Sequence, residues 1–118
     1  MTRAAQGDVF LADVAPRIGF DVDPETGRLP VVVLQGNALN SVLETLLVAP
    51  LVPANAERIR FPLHVSIPAG ELAHRGDHVA KVQLVRPIAR SRLSPEPLAR
   101  VSPATLARLH AAVRRVFR

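Results

Sequence analysis

The residues from Leu29 to Val52, LPVVVLQGNALNSVLETLLVAPLV, contain two short apolar runs joined by a polar connection. The first run is Val31 to Leu34 and the second is Leu46 to Leu51, and Gly, Pro and Asn lie around them. Short runs rich in Val and Leu between turn-forming residues are typical of strands that are buried on both faces. These two runs are therefore predicted to form the centre of a small β core, with candidate functional residues at their ends or after them.

Further strands are predicted on both sides of this centre. Gly7 to Val14 has the composition of a first strand, and residues 17–27 are predicted to be a polar loop. Apolar residues alternate from Phe61 to Ile67, which predicts a half-buried strand with His64 on its outer face. The last strands are predicted at Val79 to Arg86 and at residues 88–93, and we expect the curved sheet to span residues 7–93.

The C-terminal segment is predicted to be an amphipathic helix over residues 103–117. Ser102 is a favourable N-cap, and Pro103 suits the first helical position because its missing N–H has no helical partner to lose. Leucine and valine then recur at spacings of three and four residues and form one apolar stripe. A single α+β domain of residues 1–118 follows, with five to seven short strands closing toward a barrel and one helix docked on the sheet.

The composition limits the classes of function. The formal net charge is +5, and fourteen of the fifteen Lys and Arg residues are arginine, which suits a nucleic acid or an acidic protein segment. No cysteine is present, so thiol chemistry and disulfides are excluded. No apolar run is long enough for a membrane helix and the N-terminus does not resemble a signal peptide, so a cytoplasmic protein is expected. The chain has no Trp or Tyr, so its four phenylalanines are the aromatic residues on which nucleic-acid bases could stack, apart from the histidines.

Residue types alone predict neither a metal site nor a cofactor site. The acidic loop residues Asp21, Asp23 and Glu25 lack the glycine and the closing glutamate of a calcium loop. His74 and His78 are four residues apart, but Arg-Gly-Asp between them indicates a loop rather than a metal-binding helix. Of the four histidines, His64 on the exposed face of its strand is the best placed for acid–base chemistry.

The order of motifs along the chain resembles the MazF/PemK family of toxin–antitoxin toxins. The start, GDVFLADVAP from Gly7, is similar to the family's opening strand, and PVVVLQ from Pro30 with Asn40 is similar to its core motif. Residues 77–79, 86–88, 92–93 and 100–103 follow in the family's order. The resemblance implies an SH3-like barrel and a homodimer that cuts single-stranded RNA without a metal, the 2′-OH attacking the adjacent phosphate.

The family's catalytic residues are only partly matched. The resemblance implies an Arg immediately before the proline of the core motif and a Thr or Ser after the second strand, where this chain has Leu29 and Val52. Arg28 is one position early, and a one-residue offset turns a strand side chain to the other face unless a bulge intervenes. Either the site is rebuilt from Arg28, His64 and nearby groups, or the chain does not cut RNA. Candidate contacts to RNA or a protein partner are Arg17, Arg28, Arg58, Arg60 and Arg86.

Two alternatives from other classes stay open at this stage. The sequence VLQGNALN followed by APLVPA also resembles the CcdB toxins, which poison DNA gyrase, although the C-terminal tail of that family is not reproduced. A homologue that only binds an antitoxin is the third possibility. Under all three, the expected partner is a small acidic antitoxin that covers a basic groove of the dimer.

Overall fold

The structure is a computed structural model that describes residues 3–13, 28–72 and 75–117. Within these ranges the strands are β1 (Asp8–Asp13), β2 (Arg28–Val33), β3 (Thr45–Pro53), β4 (His64–Ile67), β5 (His78–Lys81), β6 (Arg86–Ala89) and β7 (Ala99–Arg100). The α-helices are α1 (Asn37–Asn40), α2 (Ala56–Arg60) and α3 (Pro103–Val116). The acidic loop at residues 17–27, Arg17 and His74 lie outside the described residues.

The strands form one antiparallel sheet in the order β4-β5-β3-β2-β1-β7, and β6 pairs with β3 as well. The two central runs predicted from the sequence are neighbours, with Val31 opposite Pro50. β5 and β6 both pair with the edge of β3 that is opposite to β2, and the 3₁₀ turn Val82–Leu84 interrupts the pairing between them. The interruption falls near Pro50, which has no N–H to donate to a ladder.

The sheet is apolar on both faces, as the continuous apolar runs indicate. One cluster packs between the sheet and α3 and includes Val32, Leu51 and Leu109. The second fills the inside of the curled sheet and includes Phe10, Leu29 and Val48. The predicted α+β fold with a C-terminal helix is therefore confirmed, and the sheet has the form of a half-barrel whose interior is packed with side chains.

α3 begins where the sequence predicts. The Oγ atom of Ser102 accepts a hydrogen bond from the Thr105 N–H at 3.2 Å. Glu71 accepts two more hydrogen bonds at this terminus, from the Ser102 N–H at 2.6 Å and from Thr105 Oγ1 at 3.0 Å. Because a carboxylate is favourable beside the N–H groups of a helix N-terminus, these contacts fix α3 to the segment that follows β4.

The connection between β2 and β3 is closed by a buried amide pair. Asn40 Nδ2 donates to the Gln35 carbonyl at 2.8 Å, and Gln35 Nε2 donates to Asn40 Oδ1 at 2.9 Å. Arg90 Nη2 donates to the Leu43 carbonyl at 2.7 Å and also bonds the Asn40 carbonyl. The Gln and Asn of the family-like core motif therefore hold the chain reversal between the two central strands.

Several boundaries differ from the sequence prediction. The strand predicted from Phe61 begins only at His64, and α2 lies in the connection between β3 and β4, where no helix was predicted from the sequence. Phe61 directly follows α2 and is 45% exposed. The prediction that Phe61 is a buried residue of the half-buried strand is therefore wrong. Pro87 lies within β6 instead of ending a strand, and β7 at residues 99–100 extends the sheet beyond the predicted limit of residue 93.

Candidate functional site

The two positions at which the family resemblance implies catalytic side chains are both apolar and fully buried. Leu29 is 1% exposed and packs in the cluster inside the curled sheet, and Val52 is 0% exposed. Val52 is paired with Val79 of β5. Neither side chain can donate or accept a proton, so these positions cannot perform the chemistry that the resemblance implies.

Arg28 is not turned onto the face of Leu29. The β1–β2 register runs without a break from Val9 opposite Val32 to Asp13 opposite Arg28. The bulge that would bring Arg28 onto the other face is therefore absent from β2 as described. Arg28 is an exposed residue at the end of the sheet, on the face of β2 opposite to Leu29.

A group of polar side chains shares the face of the sheet on which Val52 lies. Strand pairing places Val52 beside Val79, Val79 beside Ser66, and Lys81 beside His64. Directly opposed side chains in an antiparallel pair have Cβ atoms about 5 Å apart. We call the side of the sheet that carries Val52, Ser66, His64 and Lys81 the Val52 face.

The His64 ring is held by contacts to both of its nitrogen atoms. Nδ1 lies 2.8 Å from the Arg58 carbonyl oxygen, and Nε2 lies 3.0 Å from Gln83 Nε2. Because a carbonyl oxygen only accepts, Nδ1 carries a hydrogen and donates it, which leaves Nε2 of the neutral ring to accept from Gln83. The ring of Phe61 packs against it with centroids 4.7 Å apart. His64 is therefore oriented with Nε2 as the accepting nitrogen, and Gln83 occupies it.

Arg58 connects His64 to the end of β3. Its carbonyl accepts from His64, while its Nη1 donates to the Pro53 carbonyl at 2.7 Å. α2 is fixed at its start by Asn55, whose Oδ1 accepts from the Arg58 N–H at 2.7 Å. Arg60 is the exposed last residue of the same helix. The helix that the sequence prediction missed thus carries two of the predicted arginines to the neighbourhood of His64.

Of the remaining predicted residues, Arg86 starts β6 opposite Val48 and lies, by strand alternation, on the same side of the sheet as Val52. Arg28 lies on the other side, so the structure does not bring together the two catalytic candidates, Arg28 and His64. Lys81 and Gln83 were not identified from the sequence. The β4–β5 register places Lys81 beside His64, and the 3₁₀ turn Val82–Leu84 places Gln83 there. Neither arrangement produces a recognisable sequence motif.

Other charged and concave features lie away from this face. The Asp8 carboxylate accepts a hydrogen bond from Arg100 Nε at 2.8 Å and raises the pKa of Arg100, and this pair joins β1 to β7. A cleft of about 550 Å³ opens at the far end of β3 and is lined in part by Arg3, Val42 and Arg90.

Among the described residues, no group of three or more His, Asp or Glu side chains could hold a metal ion. In the same residues, helices long and apolar enough for a membrane span are absent.

Comparison with known proteins gives a consistent family match. Residues 5–117 match the family model described as PemK-like, MazF-like toxin of type II toxin–antitoxin system. The chain is 32% identical over 89 residues to Endoribonuclease EndoA of Bacillus subtilis, an alignment that covers 75% of this chain and 73% of the relative.

Solved structures support the same fold. A MazE–MazF crystal structure from Deinococcus radiodurans superposes with a TM-score of 0.75 at 24% identity, covering 99% of this chain and 97% of that one. An endoribonuclease in complex with its cognate antitoxin from a mycobacterial species gives a TM-score of 0.72 at 16% identity, with coverage of 99% and 95%. At these identities the structures establish the half-barrel fold.

Proposed function

Because the chain belongs to the PemK-like, MazF-like toxins of type II toxin–antitoxin systems, we propose that it is an endoribonuclease that cuts single-stranded RNA with catalytic groups on the Val52 face. The observation that carries the proposal is the pairing of His64 with Lys81 on the face to which Val52 belongs. The family match favours this function over the gyrase poison and over a homologue that only binds an antitoxin.

The proposed reaction needs a base for the 2′-OH, an acid for the leaving oxygen and a cation for the phosphorane. The 2′-oxygen forms a bond to the adjacent phosphorus and its proton passes to His64 Nε2. The bond from phosphorus to the 5′-oxygen breaks, and that oxygen takes a proton from solvent water, which serves as the acid. The products are a 2′,3′-cyclic phosphate and a 5′-hydroxyl. Lys81, half-buried beside His64, supplies positive charge for the non-bridging oxygens. Val52 is aliphatic and fully buried, so it takes no part in the reaction.

Gln83 has to move for His64 Nε2 to reach a substrate. The amide nitrogen of Gln83 contacts Nε2 at 3.0 Å, but its Oε1 atom is buried without a hydrogen-bond partner. A buried acceptor without a partner costs about 1–3 kcal/mol, so rotation of this amide toward solvent recovers part of the energy of the bond that is lost. RNA binding can therefore displace Gln83 at small cost, while the Arg58 carbonyl keeps the ring in place.

The arginines identified from the sequence are proposed as contacts to the RNA backbone or to a protein partner. Arg58 and Arg60 lie on α2 next to His64, and Arg86 lies on the same side of the sheet. Arg28 is exposed at the sheet end where β3 finishes, and we assign it phosphate binding rather than a place in the reacting group. Arg17 belongs to the same proposed set by its position in the sequence.

The function is tested with purified protein and a long single-stranded RNA in EDTA. Discrete fragments with 2′,3′-cyclic phosphate and 5′-hydroxyl ends are expected. RNA that stays intact over a range of sequences and protein concentrations would contradict the proposal, and a parallel assay for stabilised gyrase–DNA breaks separates that outcome from the poison.

We also propose a homodimer and a cognate acidic antitoxin as partner. The support is the net charge of +5 and the fold shared with a MazE–MazF complex and with a mycobacterial endoribonuclease in complex with its cognate antitoxin. Opposite charges attract less at high ionic strength, so the Kd of the complex is expected to rise by about tenfold or more between about 50 mM and about 500 mM NaCl. Titration calorimetry checks this, and a Kd that does not change with salt would contradict an electrostatic interface.

A further inference from the structure

Phe61 presents an aromatic ring to solvent beside the proposed catalytic residues. Phe61 is 45% exposed, and among the described residues it is one of seven large hydrophobic residues that are exposed; the other aromatic one is Phe117, at the end of α3. The Phe61 ring contacts the His64 ring at a centroid distance of 4.7 Å and an interplanar angle of 42°. One side of Phe61 is thus supported by the protein and part of the ring remains uncovered.

The position of this ring is fixed before any ligand binds. The Phe61 N–H donates to the Arg58 carbonyl at 3.4 Å, and the Phe61 carbonyl accepts from the His64 N–H at 3.0 Å. The supporting His64 ring is held by Arg58 and Gln83 at its two nitrogens. An aromatic surface held in this way loses little conformational freedom on binding, which favours affinity.

The charge around the ring is mainly positive. Arg60 is the residue immediately before Phe61, and Lys81 lies opposite His64 in the β4–β5 ladder. Arg115 of α3 reaches the same turn, where its Nη1 donates to the Pro62 carbonyl at 3.4 Å. Glu57 in the first turn of α2 is the acidic residue of that helix. An uncovered ring with cations on several sides suits a base that carries its phosphates with it.

We infer that Phe61 is the stacking platform for one unpaired base of single-stranded RNA, next to the bond that His64 and Lys81 act on. The inference rests on the proposed RNA cleavage and adds a base-binding subsite to it. Unpaired bases stack on aromatic side chains whatever their identity, and this supplies affinity that arginine contacts to phosphate alone do not. The cationic surroundings favour RNA as the occupant over an apolar side chain of a protein partner.

The chain has no tryptophan, so Phe61→Trp creates a single fluorophore at the proposed platform. The probe is a set of 2′-O-methyl decanucleotides, (U)₁₀, (A)₁₀ and (C)₁₀, which cannot be cleaved because the attacking hydroxyl is blocked. Stacking is expected to quench the tryptophan emission with the same midpoint as binding measured by anisotropy. A Leu39→Trp variant, at an exposed site near the other end of β3, is the matched control and is expected not to respond.

A second pair of variants measures the energetic effect. Phe61→Leu is expected to weaken decanucleotide binding by about tenfold or more, because stacking on one ring contributes about 1–3 kcal/mol per base. Leu39→Ala is expected to leave it unchanged. Thermal unfolding monitored by circular dichroism confirms that each variant is folded.

The outcomes separate this inference from the proposed function. If the unmodified protein binds and cuts RNA but the emission of the Phe61→Trp variant does not respond and Phe61→Leu binds normally, the platform is refuted and the nuclease stands. If Phe61→Leu weakens only the antitoxin complex, the ring belongs to a protein interface and the inference fails. If the unmodified protein neither binds nor cuts RNA, both fail.

Discussion

Replacement of His64 by glutamine is expected to lower the rate of RNA cleavage by about 100- to 10,000-fold, the usual contribution of a positioned acid or base. Glutamine has no group that titrates near neutral pH, so it cannot take the 2′-OH proton, although it still offers polar atoms to its neighbours. The loss amounts to about 3–5 kcal/mol of transition-state stabilisation. Single-turnover cleavage of one defined RNA in EDTA, across a pH range from mildly acidic to mildly basic, measures it.

The pH dependence separates a chemical role from a structural one. If His64 transfers the proton, the variant is expected to lose an ionisation from the pH–rate profile as well as rate. His64 also pairs across the sheet with Lys81 and packs against Phe61, so a general loosening of β4 would lower activity too. A variant that melts earlier but keeps the shape of the profile would therefore argue against the proposed base.

Replacement of Lys81 by glutamine is expected to lower the cleavage rate by about 100- to 1,000-fold, the range observed when one group that stabilises a charged transition state is removed. Lys81 is the single lysine of the chain and lies directly opposite His64. Because the charge develops on the phosphorane, the effect is expected mainly in the rate of the bound RNA and less in its Kd. Rapid-quench kinetics at saturating and limiting protein separate the two.

Two further variants test whether the loss of rate comes from the charge and the position of Lys81. Lys81→Arg retains the charge and is expected to recover a large part of the rate. Arg114→Gln, an exposed change in the last turn of α3, removes one positive charge elsewhere and is expected to reduce cleavage only slightly. Equal losses in Lys81→Gln and Arg114→Gln would mean that net charge, and not the position of Lys81, governs the reaction.

The fold could be predicted largely because its strongest signals are local. The two apolar runs around Val31 and Leu51 and the Ser102-Pro103 start of α3 each determine their own structure from neighbouring residues. α2 was missed because five residues give too short a period to recognise, and its ends depend on the Asn55 cap. Phe61 was misassigned because the apolar alternation continues into a residue that the chain leaves outside the sheet.

The site was harder to predict because it depends on register. The sequence shows that Arg28 is offset by one residue from the family's position. Only the unbroken β1–β2 pairing in the structure shows that no bulge corrects this offset. Lys81 carried no motif, and its place beside His64 follows from the β4–β5 pairing alone. Gln83 reaches His64 from a 3₁₀ turn where the sequence predicted a continuous strand. Side chains that meet across strands or turns leave no fixed spacing in the sequence.

The central claim is that the reacting groups lie on the Val52 face and not with Arg28. The most direct test compares His64→Gln and Arg28→Gln in single-turnover cleavage of the same RNA in EDTA. A loss of about 100-fold or more is expected for His64→Gln and a loss within about tenfold for Arg28→Gln, which removes one exposed phosphate contact. Normal cleavage by His64→Gln together with inactive Arg28→Gln would contradict the account.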